Sequence, residues 1–174
     1  MSVRFGLRLG LACLAVVSLS KAGLAQSKVG IVSLQRAVLD TAEIKKASAD
    51  MADKYKPRQQ EMEKLQKDID GIKQQLQTNA GKLTAVAESD LTSQGQRKQR
   101  ELQRLSDDLQ ADVNAERNDI LATTSRKMQQ VVKKLAEEKG LDVVVDVQSA
   151  VYFKPAMDIT TEATAAFDKA YPAK

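Results

Sequence analysis

The chain contains no histidine, no tryptophan and one cysteine, Cys13, and its aromatic content is only 3%. Without histidine, the usual general base and the commonest nitrogen ligand for zinc are missing, so His-dependent hydrolysis and most zinc sites are excluded by inventory. One cysteine cannot form an intramolecular disulfide, so no covalent staple holds the fold. No glycine-rich phosphate-binding motif of the Walker or dinucleotide type is found, so no nucleotide cradle is expected. So few aromatic side chains also argue against a large globular core built from one copy.

At the N-terminus, Arg4 and Arg8 precede an uncharged apolar stretch, Leu9 to Leu19, that is too short to span a bilayer. Gly23 and Ala25 then supply small residues at the −3 and −1 positions of a signal-peptidase site. The expectation is a signal peptide over residues 1–25, cleaved after Ala25 and directing the chain to export. Its loss would remove Cys13 and three of the 27 Lys+Arg, leaving 24 cations against 23 Asp+Glu and a net charge of +1. The basic balance is therefore largely a property of the precursor, and a nucleic-acid partner loses its support.

Beyond the leader, the dominant pattern is a long run of helical periodicity, residues 42–139. Tyr55, Met62, Leu65, Ile69, Ile72 and Leu76 recur at the 3.5-residue spacing of a coiled-coil seam. Leu102, Leu105, Leu109, Val113, Ile120, Met128, Val131 and Leu135 form a second stripe, interrupted by Glu116, Arg117 and Thr124. Pro57 predicts a kink near Lys56–Pro57. Between the stripes, Asn79 and Gly81 offer left-handed backbone and Thr84 a helix cap, placing the hairpin tip at 79–84; the rival turn is 92–95. On the first choice, Gly95 is a weak point inside the return helix. Gly140 ends that helix.

Short strand-like segments flank the arm. Lys28 to Ser33 precedes it, and Leu141 to Val147 follows with alternating apolar residues. Ala150 to Phe153 predicts a partner strand, completing a C-terminal β-hairpin before Pro155, and a last helix starts near Thr161. The expected fold class is α+β: a small β-sheet body from residues 26–41 and 140–174, with one N-terminal strand and the C-terminal β-hairpin. From it projects a long antiparallel α-helical hairpin arm, and a short C-terminal helix closes the chain. Asp142 and Asp146, about 13 Å apart on an extended strand, are too distant to share a proton or an ion and read as a solvated face.

KVGIVSLQRAV near the mature N-terminus, GLDVVVDVQSAVYF after the arm, and Asp158-Ile159-Thr160 before the last helix together resemble the Skp (OmpH) family of periplasmic chaperones. The resemblance covers nearly the whole mature chain. It implies a homotrimer whose arms enclose a cavity, in which unfolded outer-membrane β-barrel proteins are held without ATP. It implies no enzymatic activity, no catalytic residue, no cofactor and no metal. Met51, Tyr55 and Met62 at the root of the arm are the candidate client contacts, since methionine repacks against varied surfaces; the alternative is that they belong to the seam or the trimer core. Lys82, Arg97, Lys98, Arg100 and Arg104 form a candidate basic arm surface for acidic clients, anionic lipid or lipopolysaccharide headgroups. The competing function is a periplasmic coiled-coil adaptor that docks partner helices.

Overall fold

A computed structural model describes residues 27–173; the expected leader lies outside the described residues. The chain opens with strand β1 (Val29–Val32) and a six-residue helix α1 (Leu34–Leu39), then turns sharply into α2 (Ala42–Thr78). Thr41 makes the corner. Its hydroxyl donates to the Val38 carbonyl at 2.7 Å and accepts from the Ile44 amide at 3.3 Å, so one buried side chain satisfies both helix ends.

α2 is one continuous helix on both sides of Pro57, whose missing N–H removes one bond from the ladder. Asn79 closes α2, with its side-chain amide donating to the Gln75 carbonyl at 3.0 Å. Gly81 takes φ of 75°, and Thr84 caps α3 (Ala85–Lys139) by accepting from the Ala87 amide at 3.2 Å. Gly140 ends α3 in the left-handed region, φ 61°, where a Cβ would be strained. The 55 residues of α3 extend about 80 Å, so its far half stands clear of the base as an arm while its last turns enter the core.

Along the arm the seam is thin. Leu65, Ile69 and Ile72 of α2 are buried, but Leu102, Leu105, Leu109 and Val113 of α3 are only half-buried. Gly95 is not simply a weak point. A Cβ there would sit 3.3 Å from Ile72 Cγ2, so glycine lets the two helices approach closely near the tip.

The core lies at the base. Val32, Ala37, Val38, Ile44, Met128, Val131, Val132, Leu135, Ile159, Ala163 and Phe167 form one cluster, to which α4 (Thr160–Ala170) contributes the fully buried Ala163 and Phe167. Strand β2 (Val143–Asp146) pairs parallel with β1, Val29 opposite Val143 and Val32 opposite Asp146. Parallel strands need a long crossover. Here the crossover is the whole arm.

The expected C-terminal β-hairpin does not form within the chain. Gln148–Ser149 offers no residue suited to positive φ; instead Asp146 Oδ1 accepts from the Gln148 amide at 2.9 Å and winds Val147–Ser149 into a 3-10 turn. The chain then bends at Val151 and leads to a second 3-10 turn, Pro155–Met157. Asp158 bridges to Ile31 on the other side of β1, and the Ile159 amide donates to the Ile31 carbonyl at 2.8 Å. Among the described residues, the sheet has two strands in place of the expected three. Phe167→Ala should lower stability by about 3–5 kcal/mol, the usual cost of emptying a buried aromatic site, as read by denaturant unfolding of the full chain.

Candidate functional site

Among the described residues, polar contacts cross the seam at four levels and fix its register. Nearest the base, Lys127 Nζ donates to both Glu43 oxygens at 2.8 and 3.0 Å, and the buried Thr124 hydroxyl donates to Glu43 Oε1 at 3.3 Å. Further out, Glu116 Oε2 accepts from Lys54 Nζ at 2.7 Å and from the Tyr55 hydroxyl at 2.6 Å. Arg58 pairs with Asp112, and Lys98 Nζ with Asp68 Oδ2 at 2.7 Å. The hydrogen bonds from Lys54 and then Tyr55 hold the Glu116 carboxyl below its usual range, and that from Lys98 does the same for Asp68. Glu116 and Thr124, which read in sequence as gaps in the apolar stripe, are partners for the opposite helix.

This arrangement redistributes the sequence candidates. Tyr55 is only 7% exposed, its ring in the seam and its hydroxyl committed to Glu116. Met51 is half-buried and lines an apolar groove of about 260 Å3 with Leu39, Ile44, Ala47, Ile120 and Leu121. Met62 is also half-buried and shares a shallow recess with Leu102 and Ser106. The basic residues divide as well. Lys98 faces α2 and is engaged by Asp68. Arg97, Arg100 and Arg104 are exposed and, at spacings of three and four, share the face of α3 turned away from α2. Lys82 stands apart, exposed at the tip.

Leu39 and Arg117 matter more than the sequence suggests. Leu39 is 42% exposed for want of a neighbour. It lines the Met51 groove together with Arg117, and the same two residues line a second groove that runs to Asp146 and Gln148. Only the apolar spacing of Leu34, Val38 and Leu39 hinted at this surface, and a six-residue helix is too short for periodicity to reveal it.

At the base, acidic residues serve the backbone. Asp142 Oδ2 accepts from the Lys28 amide at 2.7 Å, and Asp146 Oδ2 accepts from the Leu34 amide at 3.3 Å, so neither is merely a solvated strand residue. Asp158 Oδ1 accepts from the Thr160 amide at 2.9 Å, Thr160 Oγ1 accepts from the Ser33 amide at 2.9 Å, and Arg36 pairs with Asp158 at 3.0 Å. The Asp158-Ile159-Thr160 segment is thus the buckle that fastens α4 to β1. Among the described residues, no group of side chains is placed to hold a metal ion, and no helix is long and apolar enough to cross a membrane.

A family model described as outer membrane protein (OmpH-like) matches residues 28–167, from the start of β1 into α4. The chain belongs to the OmpH-like family. A Skp-like protein of Pseudomonas aeruginosa is 24% identical over 148 residues, covering 85% of this chain and 88% of that protein. The chaperone protein Skp of Yersinia enterocolitica is 28% identical over 158 residues, covering 88% and 91%, and that of Salmonella typhimurium is 29% identical over 129 residues, covering 74% and 78%. The fold is similar to the crystal structure of a putative OmpH-like outer membrane chaperone from Caulobacter crescentus, with a TM-score of 0.72 and 22% identity over 87% of this chain and 90% of that one. OmpH-like membership makes this a chain of a chaperone family, with a helical coiled-coil arm on a small base.

The buckle gives a pH prediction. Hydrogen bonds from the Thr160 side chain and amide, with a smaller contribution from Arg36, hold the Asp158 carboxyl below its ordinary value of 3.8. A depressed folded pKa contributes stability that is complete above 3.8 and lost as pH falls through the lower folded value. Asp158→Asn should therefore melt below the parent at neutral pH, with the gap narrowing as pH drops below 3.8. A gap that is unchanged in acid would remove the carboxylate from the account.

Proposed function

We propose that this chain is exported to the periplasm, where the leader is cleaved after Ala25, and acts there as an ATP-independent holdase for unfolded outer-membrane β-barrel proteins. It works as a homotrimer: the bases associate, and three arms enclose the client. The observation that carries this reading is a long, two-helix arm on a base too small to enclose a ligand, in a chain matched to the OmpH-like family from residue 28 to 167. Relatives named as chaperones, aligned over most of their length, support the same activity.

The chemistry fits many weak contacts better than one deep pocket. Unfolded β-barrel segments alternate apolar and polar side chains, and half-buried methionines adapt to either register. Met51, in its groove at the root of the arm, is the first client contact, and Met62 a second further out. Tyr55 contributes by holding α2 against α3. Arg97, Arg100 and Arg104, together with Lys82, steer acidic segments and anionic headgroups, including lipopolysaccharide, towards the arm. A coiled-coil adaptor would have no effect on an unrelated unfolded barrel, which separates the two readings.

Dilution of a urea-unfolded outer-membrane barrel into nucleotide-free buffer tests the proposal. Light scattering from aggregates should be suppressed at about one trimer per client, and Met51→Ser should weaken the suppression. Aggregation at an unchanged rate in excess protein contradicts the holdase reading.

A further inference from the structure

Arg117 is a cation without a counter-charge. It is exposed on α3 and forms no ion pair with any described residue, whereas Lys54, Arg58 and Lys127 along the same stretch of seam are each held by a carboxylate. Ile120 and Leu121 follow it by three and four residues and so share its face of the helix. All three line the Met51 groove, and Arg117 is the one charged residue among that lining. On the facing helix Ile44, Ala47, Ser48 and Met51 recur at helical spacing over two turns, which makes the groove about 10 Å long. Arg117 also borders the second groove, but there Asp146 already supplies a carboxylate. An anion is better received on the Met51 side.

An apolar trough with one free guanidinium on its border selects a ligand that carries an apolar group and a single negative charge close together. Length decides between the candidates. A lipid acyl chain spans half of a hydrocarbon core of about 30 Å and would overrun the groove. Orientation decides against the interior of an extended client strand. There, neighbouring side chains point to opposite faces, so an acidic residue next to an apolar one turns away from the groove. At the end of a polypeptide, the last side chain and the α-carboxylate hang from one Cα. An apolar C-terminal residue therefore fills the trough and reaches the guanidinium together, and the exposed Ser48 in the lining offers a hydroxyl as second donor.

We propose that the Met51–Arg117 groove captures the free C-terminus of an unfolded client whose last residue is apolar. The Arg117 guanidinium takes the α-carboxylate in a charge-assisted pair, and Met51, Ile120 and Leu121 pack on the side chain. Capture rests on the holdase reading above and names the part of the client that the groove receives. It gives an otherwise dispersed grip one fixed point at the root of the arm.

The test uses the full chain with 13C-methyl-labelled methionine, the Met51 signal being assigned by Met51→Leu. An acetylated tripeptide ending in phenylalanine is titrated as its free acid and as its amide. The acid should move the Met51 methyl signal and leave that of Met128, wholly buried in the base, in place. It should bind about tenfold or more tightly than the amide, the scale of one hydrogen bond to a charged group. Arg117→Gln should bring the acid down to the level of the amide without loss of helical circular dichroism, and Arg117→Lys should recover part of the difference. Equal binding of acid and amide, or an acid preference that survives Arg117→Gln, overturns the capture. Decanoate, or an amidated peptide with an internal glutamate, binding as tightly as the free acid overturns the assignment to a chain end. The unfolded-barrel dilution is run on the same protein. Suppressed aggregation without an acid preference overturns the capture alone, and an acid preference without suppression overturns the holdase reading alone.

Discussion

The arm is obliged to come home. β1 leaves the base at Val32 and cannot be completed by its sequence neighbours, because one side of it pairs with Val143–Asp146 and the other meets Asp158. Both partners lie beyond the arm. A parallel pair with α1, α2 and α3 as its crossover therefore makes the base and the hairpin a single closure problem. Any slip of one helix against the other would carry β2 out of register with β1. The polar contacts across the seam meet this demand, since Glu43 with Lys127 and Thr124, Glu116 with Lys54 and Tyr55, Arg58 with Asp112, and Asp68 with Lys98 each accept only one alignment. A plain leucine stripe would hold the helices together but specify their alignment poorly.

The same design explains how the apolar residues are spent. Large buried side chains collect where α1, α3 and α4 meet, with Met128 and Phe167 at the centre, while the outer seam carries half-buried leucines and a glycine packed close to Ile72. An arm built this way is stiff along its axis because it is helical. Sideways it is poorly anchored, since few of its contacts are fully desolvated. That combination places fixed geometry at the base and the less desolvated contacts along the arm.

Much of this was legible in the residues. Thr84 and Gly140 announce helix ends by chemistry that is local, and the stripe from Tyr55 to Leu76 announces a seam by spacing alone. The pairing of the strands was not legible. Val143 to Val147 alternates as any edge strand would, and nothing local says that its partner is 114 residues upstream and parallel. The expected hairpin failed on one side chain, because Asp146 turns the chain by capping Gln148, and sequence alone gives an aspartate in a strand no such instruction. The candidate client contacts divide for a similar reason. Tyr55 and Met51 are one turn apart on α2, but only the opposite helix decides that Tyr55 meets Glu116 and Met51 faces a groove. The basic cluster was visible as composition, whereas the withdrawal of Lys98 from it depends on Asp68, thirty residues away.

A slender arm standing clear of a small base is the central claim, and small-angle X-ray scattering combined with light scattering tests it most directly. The account predicts a maximum dimension of at least about 80 Å, the length of α3, and a radius of gyration well above that of a compact particle of the measured mass. A radius matching compact scaling, about 16 Å for a single chain, would contradict it.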